Sequence, residues 1–441
     1  MNKDKFRAKY VNKIIHGKCI TVMREWPDNV IDTIITDPPY MLSFMGKDWD
    51  KINSGRTRKQ NELTAIAKGP ESYKGGKPIQ KWYYKWAKEV LRVAKPGAFL
   101  FAFGGTRTHH RLMCGLEDAG WEIRDCIMWL YGSGFPKSHN VGNAIDKLHG
   151  CSNRGSAIAS GNKFHPTTGK ARRPGDLLPK YEGRTPEGKT WDSYGTALKP
   201  SYEPIIVAMK PLDGTFAHNA EKHGVGGLWI DGGRIETSEV LSAEYGQPSG
   251  SGCYNWNKEK KKVERTGKVN TQGRWPANVI LDEESSRLLD EQSGTLKSGK
   301  LLTHHKRKGG GLQGTNTFAI RDRTGEECNF GGDSGGASRF FYTSKSSKSE
   351  RERENEHPTV KPVSLMTYLC KLTQTPTGGI VLDPFGGSGT TALACIKTGR
   401  DYIVIEKKKD YCKIARERVK KAKVGVPISL QRKGFKGLLE E

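Results

Sequence analysis

No CxxC pair occurs among the nine cysteines of this 441-residue chain, and the count is odd. That pattern excludes a ribbon of paired zinc-binding cysteines and fits no disulfide framework, so a reducing compartment is expected. Long apolar runs are missing too. The longest, Ala98–Phe103, is far shorter than the roughly 20 residues that span a bilayer. The N-terminus MNKDKFRAKYVNKIIHGK has charge but no apolar core of a secretory leader. The expectation is a soluble cytoplasmic protein. Acid is scarce: 48 Asp and Glu stand against 73 Lys and Arg, a formal net charge of +25. A field of that sign attracts polyanions, which makes nucleic acid the first partner to test. The densest basic runs, Lys258–Lys268 and Lys297–Lys308, decide nothing alone, because such runs are as readily solvated loops.

What is present points to an enzyme core with polar insertions. Hydrophobic residues make up 35% of the chain, enough for a real core, whereas 53 glycines and 21 prolines imply long connections. The length predicts about two to four structural units. Val30–Thr36 is a β-branched run that stops at Asp37-Pro38-Pro39-Tyr40, since neither proline can donate to a sheet ladder. A helix pattern follows around Trp82–Ala94, with Lys95-Pro96-Gly97 as terminator and Ala98–Phe103 as a buried strand. Helix Thr108–Ala119, strand Glu122–Tyr131 and strand Glu203–Met209 come next, around an aperiodic stretch from Gly132 to about Lys199. Short candidate strands lie at Leu228–Ile230, Val279–Leu281 and Phe340–Tyr342. Order then returns as helix Ser364–Leu372, strand Ile380–Leu382, helix Thr390–Thr398, strand Tyr402–Ile405 and helix Tyr411–Lys421. Alternating strands and helices predict an open α/β sheet covered on both faces.

Two motifs carry chemistry. Gly387-Ser388-Gly389-Thr390-Thr391-Ala392 fits G-x-G-x-x-G/A, follows a strand and opens a helix, the context in which glycines let the backbone approach a nucleoside. Glu406 ends the next strand, where an acid can accept from both ribose hydroxyls. No lysine follows Gly389, which disfavours a triphosphate. Asp383 at the strand end would repel a pyrophosphate but attract the ammonium of a methionine-like group, favouring S-adenosylmethionine over NAD. The tetrapeptide Asp37–Tyr40 offers a carboxylate, a rigid turn and an aromatic face. Hydrogen bonds from an exocyclic amine to Asp37 and the Pro38 carbonyl would free its delocalised lone pair for attack on a sulfonium methyl. Removing a base from a duplex costs a few kcal/mol, and stacking on Tyr40 at roughly 1–3 kcal/mol offsets much of it.

With His357-Pro358-Thr359-Val360-Lys361-Pro362 and Asp383-Pro384-Phe385-Gly386-Gly387-Ser388-Gly389-Thr390-Thr391, these residues resemble the amino-directed DNA methyltransferases in the permuted β-class order. The added stretches SFMGKDWD, YGSGFPKSHNV (Tyr131–Val141) and GASRFF (Gly336–Phe341) resemble solitary phage and prophage enzymes. The resemblance implies a Rossmann-like, mostly parallel sheet of the S-adenosylmethionine-dependent methyltransferase fold with an inserted target-recognition module. It implies residues 1–210 as the catalytic half, with a loop-rich insertion at about 132–200. Residues 211–345 become the target-recognition region and 346–441 the cofactor-binding half. It places Asp37, Pro38, Pro39 and Tyr40 in the catalytic pocket. Asp383, Pro384, Phe385, Gly386, Gly387, Gly389, Thr390 and Glu406 hold the cofactor, and Thr359 and Lys361 meet its methionine carboxylate. It implies double-stranded DNA as substrate and allows a homodimer. Gly17-Lys18-Cys19 departs from the family, which usually carries an acid in that turn to receive the cofactor's adenine amine.

Asp48 and Asp50 read as loop residues, and His109-His110 and His304-His305 lack partners at ligand spacing, so no metal is expected. Trp256 and Trp275 are as readily core as base platforms. The function expected is N6-adenine methylation of DNA, with N4-cytosine methylation as the alternative. An NAD-dependent dehydrogenase is more distant, because it leaves the tetrapeptide and the charge unexplained. A noncatalytic DNA-binding module, and RNA or protein-glutamine methylation, fit the intact motifs and their order less well.

Overall fold

The computed structural model describes residues 1–41, 77–132, 134, 138–151, 182–237, 273–297, 334–345 and 360–422. Asp48, Asp50, Trp256, His304, His305, His357, Thr359, the run Lys258–Lys268 and nearly all of Lys297–Lys308 lie outside them. In chain order the strands are β1 (Lys13–His16), β2 (Ile31–Thr36), β3 (Ala94–Phe103), β4 (Glu122–Leu130), β5 (Tyr202–Met209) and β6 (Val279–Asp282). Then come β7 (Leu296–Lys297), β8 (Ser334–Gly335), β9 (Tyr342–Ser344), β10 (Ile380–Asp383) and β11 (Asp401–Glu406). Nine of them form one sheet in the order β1-β11-β10-β2-β3-β5-β4-β6-β9, and β7 pairs with β8 separately. The run from β1 to β3 is parallel throughout, and β5 enters antiparallel to β3.

The strands of the central run are apolar along their whole length because both faces are covered. Every residue of β2 is buried. Side chains alternate between two cores, as the two-residue period of a strand requires. Ile34, Leu100, Ala102, Leu382, Ile403 and Ile405 join Phe6, Tyr83, Trp86 and Leu112 on one face. Their neighbours Ile35, Phe101, Phe103, Val381 and Val404 join Leu365, Leu369, Cys395 and Cys412 on the other. The helix Lys77–Val93 supplies the first core through Ile79, Tyr83, Trp86, Ala87, Val90 and Val93, a single helical stripe. An α/β sheet with helices on both faces is therefore what the periodicity predicts and what the chain forms.

Three boundaries differ from the sequence reading. β3 starts at Ala94, without a break at Lys95-Pro96-Gly97, because Ala94 already pairs with Ile31 before a register shift. Leu228–Ile230 is not a strand. The Trp229 amide donates to the Leu372 carbonyl at 2.8 Å, and Ile230–Gly233 closes into one helical turn. In place of a strand over Phe340–Tyr342, a 3-10 turn, Ala337–Phe340, precedes β9, whose Tyr342 ring stacks on Tyr368 at 3.8 Å.

Leu130–Tyr202 forms a separate compact unit. Its helices Val141–Leu148 and Pro186–Thr190 are joined by the fully buried Asp146. That carboxylate accepts from the Arg184 amide at 3.0 Å and from the Thr185 amide and hydroxyl at 3.0 and 2.8 Å.

Candidate active site

Neighbouring strands β11, β10 and β2 are parallel, so their C-terminal ends, Glu406, Asp383 and Thr36, reach one edge of the sheet. In open α/β sheets that edge is where ligand crevices form. The tetrapeptide after β2 and the glycine turn after β10 therefore share a site although they come from opposite ends of the chain.

The glycine turn is built around two buried carboxylates. Asp383 is 4% exposed. Its Oδ1 accepts from the Thr36 hydroxyl at 2.8 Å and the Phe385 amide at 3.0 Å, and its Oδ2 from the Thr391 hydroxyl at 2.6 Å. Burial pushes this carboxyl up to about 6 against the pull of those donors. Glu406 Oε2 accepts from the Gly387 amide at 2.9 Å, and Oε1 from the Lys408 amide at 2.7 Å. Burial raises its pKa too, with the backbone donors opposing. An ionised carboxylate offers about four lone-pair positions, so Glu406 can accept further hydroxyls beside these two bonds. Gly387 and Gly389 have φ of 49° and 82°, a region open to glycine at little cost. A Cβ on Gly389 would lie 2.7 Å from the Ala415 Cβ. Phe385, after the buried Pro384, packs against Trp82 and Trp86 at ring separations of 5.6 and 5.3 Å. Behind the turn, Arg418 donates to the Ser388 carbonyl at 2.8 Å and to the Thr390 hydroxyl at 3.3 Å.

The tetrapeptide is held from several sides. The Tyr83 hydroxyl donates to the Pro39 carbonyl and the Thr108 hydroxyl to the Tyr40 carbonyl, each at 2.8 Å. The backbone then turns at Met41 with φ 57°. Gly105 lies under the Tyr40 ring, where a Cβ would come within 3.1 Å of it. Among the described residues neither Asp37 Oδ1, a buried atom, nor the Pro38 carbonyl has a hydrogen-bond partner. Two acceptors from consecutive residues are thus without a partner among the described residues.

Lys361 closes the site. It is 7% exposed, and its Nζ lies 2.8 Å from Asp37 Oδ2, 3.1 Å from the Tyr40 hydroxyl and 3.1 Å from Glu203 Oε2. Burial would lower its pKa, but the Asp37 and Glu203 carboxylates outweigh that and raise it above the ordinary lysine range. The ammonium also lies 5.4 Å from the Tyr40 ring centre and 5.0 Å from that of Phe103. A methionine carboxylate could reach Nζ only by displacing one of its present partners, because an ammonium has three donors. Burial, with the same two carboxylates, also holds the Tyr40 phenol well above its ordinary pKa.

Among the described residues, the structure thus brings together Asp37, Pro38, Pro39, Tyr40 and Lys361 on one side, with Asp383, Pro384, Phe385, Gly386, Gly387, Gly389, Thr390 and Glu406 beside them. The sequence reading missed Glu203 and Arg418. Glu203 reads as the first residue of a strand, and only the antiparallel entry of β5 carries it to the edge where Asp37 and Tyr40 lie. Arg418 is one of several basic residues in the helix Lys409–Lys421 and the one of them that is buried. Lys18, an exposed residue, precedes the helix Cys19–Met23 without a side-chain cap. His109 is tied to the Gly105 carbonyl at 3.3 Å, and no group of three or more His, Cys, Asp or Glu among the described residues could hold a metal ion.

A type II methyltransferase of Haemophilus influenzae, M.HindIII, is 23% identical over 93% of this chain and 95% of its own length. The type II methyltransferase M2.DpnII of Streptococcus pneumoniae is 40% identical over 18% of this chain and 29% of its own length. The solved structure of the PvuII cytosine-N4-specific DNA methyltransferase aligns at 12% identity with a TM-score of 0.41, over 92% of this chain and 85% of that one. A family model for N6/N4 DNA methylases matches residues 31–417, from β2 through most of the last helix. The chain belongs to this amino-directed DNA methylase family.

Proposed function

We propose that this protein is a sequence-specific DNA methyltransferase that uses S-adenosylmethionine to methylate the N6 amine of an adenine turned out of the duplex. The observation that carries this reading is the buried Asp37 Oδ1, unpartnered among the described residues, followed in the chain by the equally unpartnered Pro38 carbonyl and by the aromatic Tyr40. An exocyclic amine has two N–H donors and a lone pair drawn into the ring. Accepting both hydrogens draws the nitrogen toward a pyramidal geometry and returns the lone pair to it. Tyr40 offers the base a stacking face.

The cofactor residues fit an adenosine donor. Glu406 has acceptor positions left for ribose hydroxyls, Phe385 gives an apolar wall, and the turn carries no lysine that would favour a triphosphate. S-adenosylmethionine supplies, when bound, a methyl on a positively charged sulfur that a nitrogen lone pair can displace. The positive charge of the chain draws in the phosphate backbone, so affinity for DNA should fall steeply with salt. Asp rather than Ser at the head of the tetrapeptide favours adenine over cytosine by family habit. Mass spectrometry of nucleosides from DNA treated with the enzyme tests the choice. 6-Methyladenine is the expected product, and 4-methylcytosine without it overturns the base assignment.

A further inference from the structure

Glu203 completes a closed ring of contacts that the two motifs do not account for. Its Oε2 accepts from the Tyr40 hydroxyl at 3.1 Å and pairs with Lys361 Nζ at 3.1 Å, while Lys361 also donates to the Tyr40 hydroxyl and to Asp37 Oδ2. Both chemically active ends of the tetrapeptide are therefore fixed by one lysine and one glutamate from distant segments. The side chains of Asp37 and Glu203 are each 23% exposed, and that of Lys361 is 8% exposed, so their interactions are only partly screened.

Two carboxylates share this single ammonium. Were Asp37 its only anionic partner, the lysine would draw most of the negative charge of Asp37 toward Oδ2 and weaken Oδ1 as an acceptor. With Glu203 on the other side, the ammonium is divided and the trio keeps an excess of one negative charge beside Oδ1. The Tyr40 hydroxyl donates to Glu203 while accepting from Lys361, so its oxygen is held from two sides.

We propose that Glu203 is a positioning residue for methyl transfer: it divides the charge of Lys361, which keeps Asp37 a strong acceptor, and with Lys361 it anchors the Tyr40 hydroxyl. This role rests on the methyltransferase reading above. Glu203 touches the cofactor side only through Lys361, and its loss frees one lysine donor for the methionine carboxylate, so cofactor binding should not weaken.

The test uses the full-length protein with unmethylated plasmid DNA and labelled S-adenosylmethionine. It measures kcat, KM for DNA, and the Kd for S-adenosylmethionine by calorimetry in wild type, Glu203→Ala and Glu203→Gln. Wild type that binds S-adenosylmethionine but transfers no methyl to DNA counts against the functional reading itself. Given an active wild type, Glu203→Ala should lower kcat about 10- to 100-fold with the cofactor Kd raised by no more than about threefold. Glu203→Gln, which keeps the acceptor for Tyr40 but not the charge, should fall between the two. An unchanged kcat in Glu203→Ala overturns the proposal. So does an equal loss in both variants accompanied by weakened cofactor binding, the mark of a merely structural role. If the alanine variant does not fold, the glutamine variant decides: reduced kcat with wild-type cofactor affinity supports the role, and wild-type kcat refutes it.

Discussion

The Thr36 hydroxyl donates to the Asp383 carboxylate across 2.8 Å, joining residues 347 positions apart. Thr36 is the last residue of β2 and Asp383 the last of β10, so this bond stitches the tetrapeptide loop to the glycine turn at their roots. It also places Asp37 close enough to Asp383 for its charge to add to the rise in the Asp383 pKa, after burial.

Removing the unpartnered acceptor should abolish most chemistry and little binding. Asp37→Ala is expected to lower kcat by about 10²–10³, as loss of one preorganised hydrogen-bonding group does in other enzymes. The Kd for S-adenosylmethionine should stay within a fewfold of wild type. A calorimetric Kd that rises in step with the loss of activity would show that Asp37 serves the cofactor instead.

Tyr40 separates into a ring and a hydroxyl. Tyr40→Ala should weaken binding by ~1–3 kcal/mol, the stacking contribution of one base, and by more at a normal pair than at a mismatched one, because the mismatch already lowers the cost of extrusion. Tyr40→Phe keeps the ring and loses only the bonds to Glu203 and Lys361. Gel-shift titrations on the mapped site, matched and mismatched, compare them. Equal losses of Tyr40→Ala on both substrates would remove the stacking role.

Gly389→Ala meets two obstacles at once. Its φ of 82° is strained for any residue with a Cβ, at a cost of about 1–3 kcal/mol, and the new methyl would sit 2.7 Å from the Ala415 Cβ. Urea denaturation should show lowered stability, and the displaced turn should bind S-adenosylmethionine more weakly. A variant with unchanged midpoint and affinity would show that the helix Lys409–Lys421 yields without effect.

The buried Asp383 should also leave a signature in the pH dependence of stability. Its carboxyl titrates at about 6 in the folded chain, above the ordinary 3.8, so between those values the folded state holds the proton more tightly than the unfolded state. Stability is therefore expected to fall as pH rises through that window, by at most about 1.4 kcal/mol per pH unit from this group. Asp383→Asn should flatten the slope there, as read from denaturation midpoints at successive pH values. An identical slope in the variant would assign the dependence elsewhere.

Much of this was legible before any coordinates. The stop at Pro38-Pro39 marked the end of β2, and the strand, glycine turn and helix from Ile380 to Thr398 were readable because local chemistry dictates them. Prolines cannot continue a ladder, and β-branched runs and glycine turns act over a few residues. The boundary at Lys95 misled for the same reason. Lys-Pro-Gly is a local stop signal, and pairing of Ala94 with Ile31 in the neighbouring strand overrides it.

The amino-acid order by itself pointed to the candidate groups: a carboxylate and two prolines before an aromatic ring, and an acid-rimmed glycine turn. Which side chains steady them was decided only by the sheet. Glu203 reaches Tyr40 because β5 runs opposite to β3, and Lys361 reaches Asp37 because the segment before the helix Val363–Leu372 comes to the same edge. Arg418 goes under the glycine turn while its charged neighbours remain outside. The physical reason is that burial and ion pairing depend on distances between segments tens to hundreds of residues apart, which the tertiary fold sets and local propensity does not.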